Sequence, residues 1–181
     1  MPNESRMLRL GKKKTRRTEG PPPLVDPQEL KDAQSVKRAV LAAIAATLIL
    51  SSFWMFFANV TGRVFPWFSI VQGMFIGLAV RRFGRGLDWR FPLVAGMSAW
   101  LGAFFGNLLV AVPVTTSALD ASWSEVIRGL TWWTLRTFFD EVITVVDYIY
   151  AFCAAAVAAF HAKRQLNRHE VFALRSVPSR K

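Results

Sequence analysis

Long apolar runs separated by arginine-rich segments constrain this chain more than any other feature. Of its 23 Lys and Arg residues, 20 lie in three segments, 1–38, 81–90 and 162–181, and the runs between them are too apolar for an ordinary soluble domain. A helix of about 20 apolar residues matches the ~30 Å hydrocarbon core of a bilayer. The pattern therefore predicts an all-α, integral membrane four-helix bundle with spans at about 39–60, 66–80, 91–115 and 142–160. The 22 residues of the first span, rising about 1.5 Å each, reach ~33 Å.

Charge sets the expected orientation. The three basic segments carry 20 basic and 7 acidic residues, whereas the remainder holds Arg63, Arg128 and Arg136 against Asp120, Glu125, Asp140, Glu141 and Asp147. Basic residues gather on the cytoplasmic flanks of spans. Four spans with both termini cytoplasmic satisfy every segment, while a three-span topology would leave the closing basic tail outside. Residues 1–35 then read as a flexible basic cytosolic tail, 36–162 as the four-span unit and 163–181 as a second basic cytosolic tail. Gly20-Pro21-Pro22-Pro23 blocks helix in the first tail. The first apolar run begins too late for a cleaved secretory signal and reads as retained.

Residues 121–141 read as an external amphipathic helix on the membrane interface. Trp123, Val126, Ile127 and Leu130 recur at i, i+3, i+4 and i+7, and Trp132 and Trp133 follow. The helical pattern runs on without a break into the last span.

The net charge of +11 raises nucleic acid as a partner, but no reading module is present and the membrane flanks account for the charge. A single cysteine, Cys153, excludes an intrachain disulfide and a Cys-based zinc site. His161 and His169 lack further ligands at metal spacing, so no metal and no cofactor are expected. The sequence holds no Gly-x-Ser-x-Gly, His-Glu-x-x-His or Walker loop. Gly84-Arg85-Gly86 lies between two spans rather than opening a helix after a strand. A non-enzymatic role is expected.

Three groups of residues are candidates for function. Ser69, Gly73 and Gly77 share one face of the second span, as Ala95, Ala99, Gly102 and Gly106 share one face of the third. Small residues at this spacing let backbones approach closely. The ten-residue loop favours packing of these two faces as an antiparallel hairpin, the competing use being dimerisation. The second group is a polar stripe in the last span, with Asp140, Thr144 and Asp147 on one face, which Asn107 and Gln72 could meet. An intramembrane carboxylate is costly and is expected to face protein or water. Asp147 either titrates in a proton or cation path or makes structural hydrogen bonds; the apolar half of the helix below Tyr150 favours the second. The third group is basic: Lys12, Lys13, Lys14, Arg16 and Arg17 in the tail, and Arg81, Arg82 and Arg85 in the loop. These serve orientation alone or contact anionic lipids.

The block Ile70-Val71-Gln72-Gly73-Met74-Phe75-Ile76-Gly77-Leu78-Ala79-Val80-Arg81 resembles a recurring pattern in small, uncharacterised bacterial four-span inner-membrane proteins. Those pair it with a third span similar to Leu101-Gly102-Ala103-Phe104-Phe105-Gly106-Asn107-Leu108 and a last span similar to Asp147-Tyr148-Ile149-Tyr150. The resemblance covers residues 66–160 and leaves out the opening basic tail. It implies a four-span bundle in a bacterial inner membrane and carries no activity. The expected role is a non-catalytic accessory or scaffolding subunit, with other integral membrane subunits as partners. The alternative is a small proton- or cation-conducting oligomer using Asp147.

Overall fold

The computed structural model describes residues 27–167 and 170–171. The polybasic cluster Lys12, Lys13, Lys14, Arg16 and Arg17 and most of the closing basic tail lie outside the described residues. Among those described, all regular structure is helical.

Each long helix starts and stops where local chemistry requires. After a short helix α1 (Pro27–Asp32), Ser35 caps α2 (Val36–Thr61) by accepting from the Arg38 N–H at 3.3 Å. Gly62 ends α2 in the left-handed region at φ 64, where a residue without Cβ carries no penalty. Pro66 lies in the turn before α3 (Phe68–Gly84), its carbonyl accepting from the Ser69 N–H and hydroxyl. Helix α4 (Arg90–Leu119) runs 30 residues, about 45 Å. It carries Pro92 in its first turn and Pro113 in its last third. The closing long helix is Val145–Ala162.

Residues 27–35 are less free than a flexible tail. Leu30 of α1 is buried, the Ser35 N–H donates to the Gly84 carbonyl at 3.0 Å, and the Gln34 side chain accepts from the Leu87 N–H at 3.0 Å. The approach to α2 is thereby stitched to the α3–α4 loop.

The continuous amphipathic helix expected over 121–141 is instead broken. Helix α5 (Trp123–Arg128) opens on a Ser122–Glu125 capping box, α6 (Trp132–Thr137) opens on Thr131 and Thr134, and Phe138–Val142 forms a π turn. The last long helix, now α7, begins afresh because Ile143 and Thr144 are extended. Apolar periodicity passes over these positions, but Ser and Thr hydroxyls restart the chain by binding backbone locally.

The four long helices pack together. Helices α3 and α4 each touch the other three, while α2 and α7 lie on opposite sides of that pair. Buried Ala39, Ala43, Ile76, Val80, Ala95, Ala99 and Ala158 form the largest core cluster. Three helices, α2, α4 and α7, are long and apolar enough to cross a membrane; α3 has 17 residues, about 26 Å. Their outer faces are apolar as well: Ile49, Phe152 and Phe160 are 68%, 64% and 76% exposed. Contiguous apolar surface of this kind is paid for in water and matches a lipid environment. The fold and its surfaces have the character of a multi-pass membrane protein.

Candidate functional site

Helices α3 and α4 are in contact, with Gln72 donating to the Gly102 carbonyl, but the tightest approaches at the glycines are made to other helices. A Cβ on Gly73 would collide with the backbone of Ala154, and one on Gly77 with the backbone of Ala158. Partner positions advance by four in the same direction on both helices, so α3 packs against α7 in parallel. Gly102 and Gly106 instead receive Thr47 and Trp54 of α2, together with Gln72; the Trp54 ring would lie 2.6 Å from a Cβ on Gly106. Helices α2 and α4 are thus also a parallel pair. Ala95 and Ala99 are buried in the shared core, and Ser69 is buried with its hydroxyl donated to Pro66 at 2.8 Å. Close approach is used twice, between helices that the loops do not join directly.

Gln72 sits at the crossing of these two pairs, fully buried. Its amide Nε2 donates to the Ser51 hydroxyl of α2 at 2.9 Å and to the Gly102 carbonyl of α4 at 3.3 Å. One side chain therefore ties three helices together. The Gln72 Oε1, Thr47 Oγ1 and Trp54 Nε1 are buried without a hydrogen-bond partner, which makes this the most polar point of an otherwise apolar interior. Thr47, Ser51 and Trp54, spaced i, i+4 and i+7 on one face of α2, were not singled out as site residues. Their signal was present as polar groups at helical spacing within an apolar run.

The acidic stripe resolves into separate local contacts. Asp147 lies in the first turn of α7, where its Oδ2 accepts from the Thr144 N–H at 2.9 Å and the Thr144 hydroxyl at 2.7 Å. The carboxylate occupies the positive end of the helix dipole and satisfies an otherwise unpaired N–H. Asp140 is on the π turn, 3.6 Å from Arg136 in an exposed pair. The extended residues Ile143 and Thr144 separate the two acids, so they do not share a helix face. Asn107 and Gln72 contribute no hydrogen bond to Asp147. Tyr148 packs against Phe104 in a tilted arrangement, ring centroids 5.3 Å apart.

Basic residues collect at one end of the helices. The start of α2, the end of α3, the start of α4 and the end of α7 bring together Lys37, Arg38, Arg81, Arg82, Arg85, Arg90, Lys163 and Arg164. Gly84 and Gly86 leave room there for the buried Phe91 ring, which accounts for both glycines without a nucleotide. At the other end, Glu125 accepts from the Ser122 N–H at 2.8 Å and from the Ser122 hydroxyl at 2.9 Å. The Ser122 backbone bond first, and its hydroxyl second, hold the Glu125 carboxyl below the usual range.

A groove of about 590 Å³ runs along the outer face between α4 and α7. Its floor is Gly96, Ala155 and Ala159; Trp89, Trp100 and Phe152 form walls. Among the described residues, no group of three or more His, Cys, Asp and Glu side chains is arranged to hold a metal ion.

Comparison with family models, with curated proteins and with solved structures finds no match.

Proposed function

We propose that this chain is a four-span bacterial inner-membrane protein with both termini cytoplasmic, acting as a non-catalytic accessory subunit of a larger membrane complex. In this reading α3 is the fourth crossing, its shorter length accommodated by the basic residues at its end. The segregation of arginines to one end of the helices supports the orientation.

The observation that carries the role is the α4–α7 groove. Leu93, Gly96, Met97 and Trp100 follow one helical face, as do Phe152, Ala155 and Ala159, so the groove runs along the helix axes. A floor of glycine and alanine between aromatic walls suits close approach by a transmembrane helix of another subunit, where packing rather than water exclusion drives association. Among the described residues the groove is lined only by α4, α7 and Trp89, so no other segment of the chain fills it. Asp147 as a conducting group gains no comparable support, since Thr144 engages its carboxylate.

The test is native mass spectrometry after mild detergent extraction. A second membrane protein should remain bound to the wild type, and Gly96→Trp should release it while preserving helicity and unfolding temperature. A wild-type chain found only as a free monomer would overturn the accessory reading.

A further inference from the structure

We infer that the basic end holds the phosphate of an anionic phospholipid, in a pocket between the last turn of α3 and the segment following α7. This deepens the membrane reading above and rests on it. The pocket measures about 680 Å³ and is lined by Leu78, Arg81, Arg82, Arg85, Arg164 and Gln165. Four guanidinium groups converge there from two parts of the chain that are some eighty residues apart in sequence, as the numbering shows.

Charge in the pocket is not balanced from within. Arg164 pairs with Glu170 at 2.8 Å, both side chains largely shielded, at 25% and 18% exposure. Among the described residues, Arg81, Arg82 and Arg85 have no acidic partner within ion-pair distance. Like charges held together repel unless an anion joins them. Arginine presents a rigid fork of donors suited to phosphate oxygens, and basic pockets between membrane helices accept anionic headgroups.

The apolar edge of the pocket selects a lipid over a free anion. Leu78 lines the same space, and Phe75, one turn back on α3, is 46% exposed. Phe75, Leu78 and Arg82 follow one face of α3 and Arg85 caps its end, so a headgroup among the arginines lets its acyl chain lie along Leu78 and Phe75. Glu170 holds Arg164 in the meantime and competes with the phosphate for it.

The full-length chain, delipidated in mild detergent, is titrated with short-chain phosphatidylglycerol, short-chain phosphatidylcholine and inorganic phosphate, with retention read by native mass spectrometry and by thermal shift. Phosphatidylglycerol should be retained in preference to both others. Arg82→Gln with Arg85→Gln should weaken it about thirtyfold, and Glu170→Gln should strengthen it. Lys37→Gln with Arg38→Gln removes the same charge at the same end but outside the pocket, and should change retention by less than about threefold. Equal loss in the two double variants would replace the site with a general surface field and overturn the proposal. Equal protection by inorganic phosphate would overturn the lipid assignment, and equal retention of phosphatidylcholine would overturn recognition of anionic charge. A chain that washes from membranes at alkaline pH would defeat the membrane reading itself. One that stays in membranes yet shows no preference would lose the pocket alone.

Discussion

The two ends of the four-helix core are built by different means. At the basic end, order comes from contacts between residues far apart in sequence: Ser35 with Gly84, Gln34 with Leu87, Gly84 against Ala39. At the opposite end, α5, α6 and the π turn contain no buried residue, and Trp132 and Trp133 are 82% and 71% exposed. The hydrogen bonds that hold that end are local: hydroxyls and carboxylates three residues apart, closing on their own helix starts. Phe138 and Phe139 reach α4, against Phe104. A substitution at the packed end or in the core should therefore propagate through the molecule, whereas one at the capped end should stay where it is made.

The largest effect should come from filling the closest helix contact. Gly73→Leu places a side chain where the Ala154 backbone already lies, and relief requires α3 and α7 to separate. A loss of about 3 kcal/mol is expected, seen as a fall in unfolding temperature in detergent with exchange rising along both helices. A change confined to residues near 73 would break the contrast between the two ends.

Next comes the polar crossing. Gln72→Glu puts a carboxylate into a fully buried site and should cost ~2–3 kcal/mol, whereas Gln72→Leu should cost no more than about 1 kcal/mol. The smaller figure follows because the Gln72 Oε1 is already unpartnered, so leucine removes one burden along with two hydrogen bonds. Chemical denaturation of both variants in the same detergent would measure the difference, and equal losses would show that shape rather than polarity decides this position.

At the capped end, Thr144→Ala removes one of the donors to Asp147 and should cost about 1 kcal/mol. Hydrogen exchange should rise over the first turn of α7 and leave the α3–α4 loop unchanged. Exchange that increased at both ends would mean the cap is coupled to the packed core.

The smallest effect is a pH step at α5. The Glu125 carboxyl sits below its ordinary value because Ser122 binds its charged form. A group lowered in this way adds stability above the unfolded carboxylate range and loses it as pH falls through the lowered folded value. Protection from exchange at residues 122–126, relative to the intrinsic rate at each pH, should be highest at neutral pH and fall in acid, and Glu125→Gln should abolish the step. Persistence of the step in that variant would assign it to another carboxylate.

Much of this arrangement was legible before any coordinates. Apolar runs and basic flanks led to four helical stretches close to those found, and the four-residue spacing of Gly73 and Gly77 marked a face for close packing. The break at Thr144 was legible in principle as well: Thr144-x-x-Asp147 has the form of a capping box, as Ser122-x-x-Glu125 does at the start of α5. The apolar period running across them outweighed that signal, and reading Asp147 by depth alone hid its nearest partner. Partner choice was a different matter. A short α3–α4 loop argues for a hairpin of adjacent helices, but loop length says little about which faces meet, and Gly73 found Ala154 while Gly102 found Thr47 and Gln72.

Residue order alone, then, determined where helices form, how long they are and at which end their positive charges gather, because these follow from local apolar content, capping and charge. Only the tertiary structure decided that α3 pairs with α7 and α2 with α4, that Gln72 joins three helices, and that Arg164 stands beside Arg81, Arg82 and Arg85. Small faces on several helices are interchangeable as a pattern. Their pairing is settled by the simultaneous fit of side-chain volumes and buried polar groups, which no single segment contains.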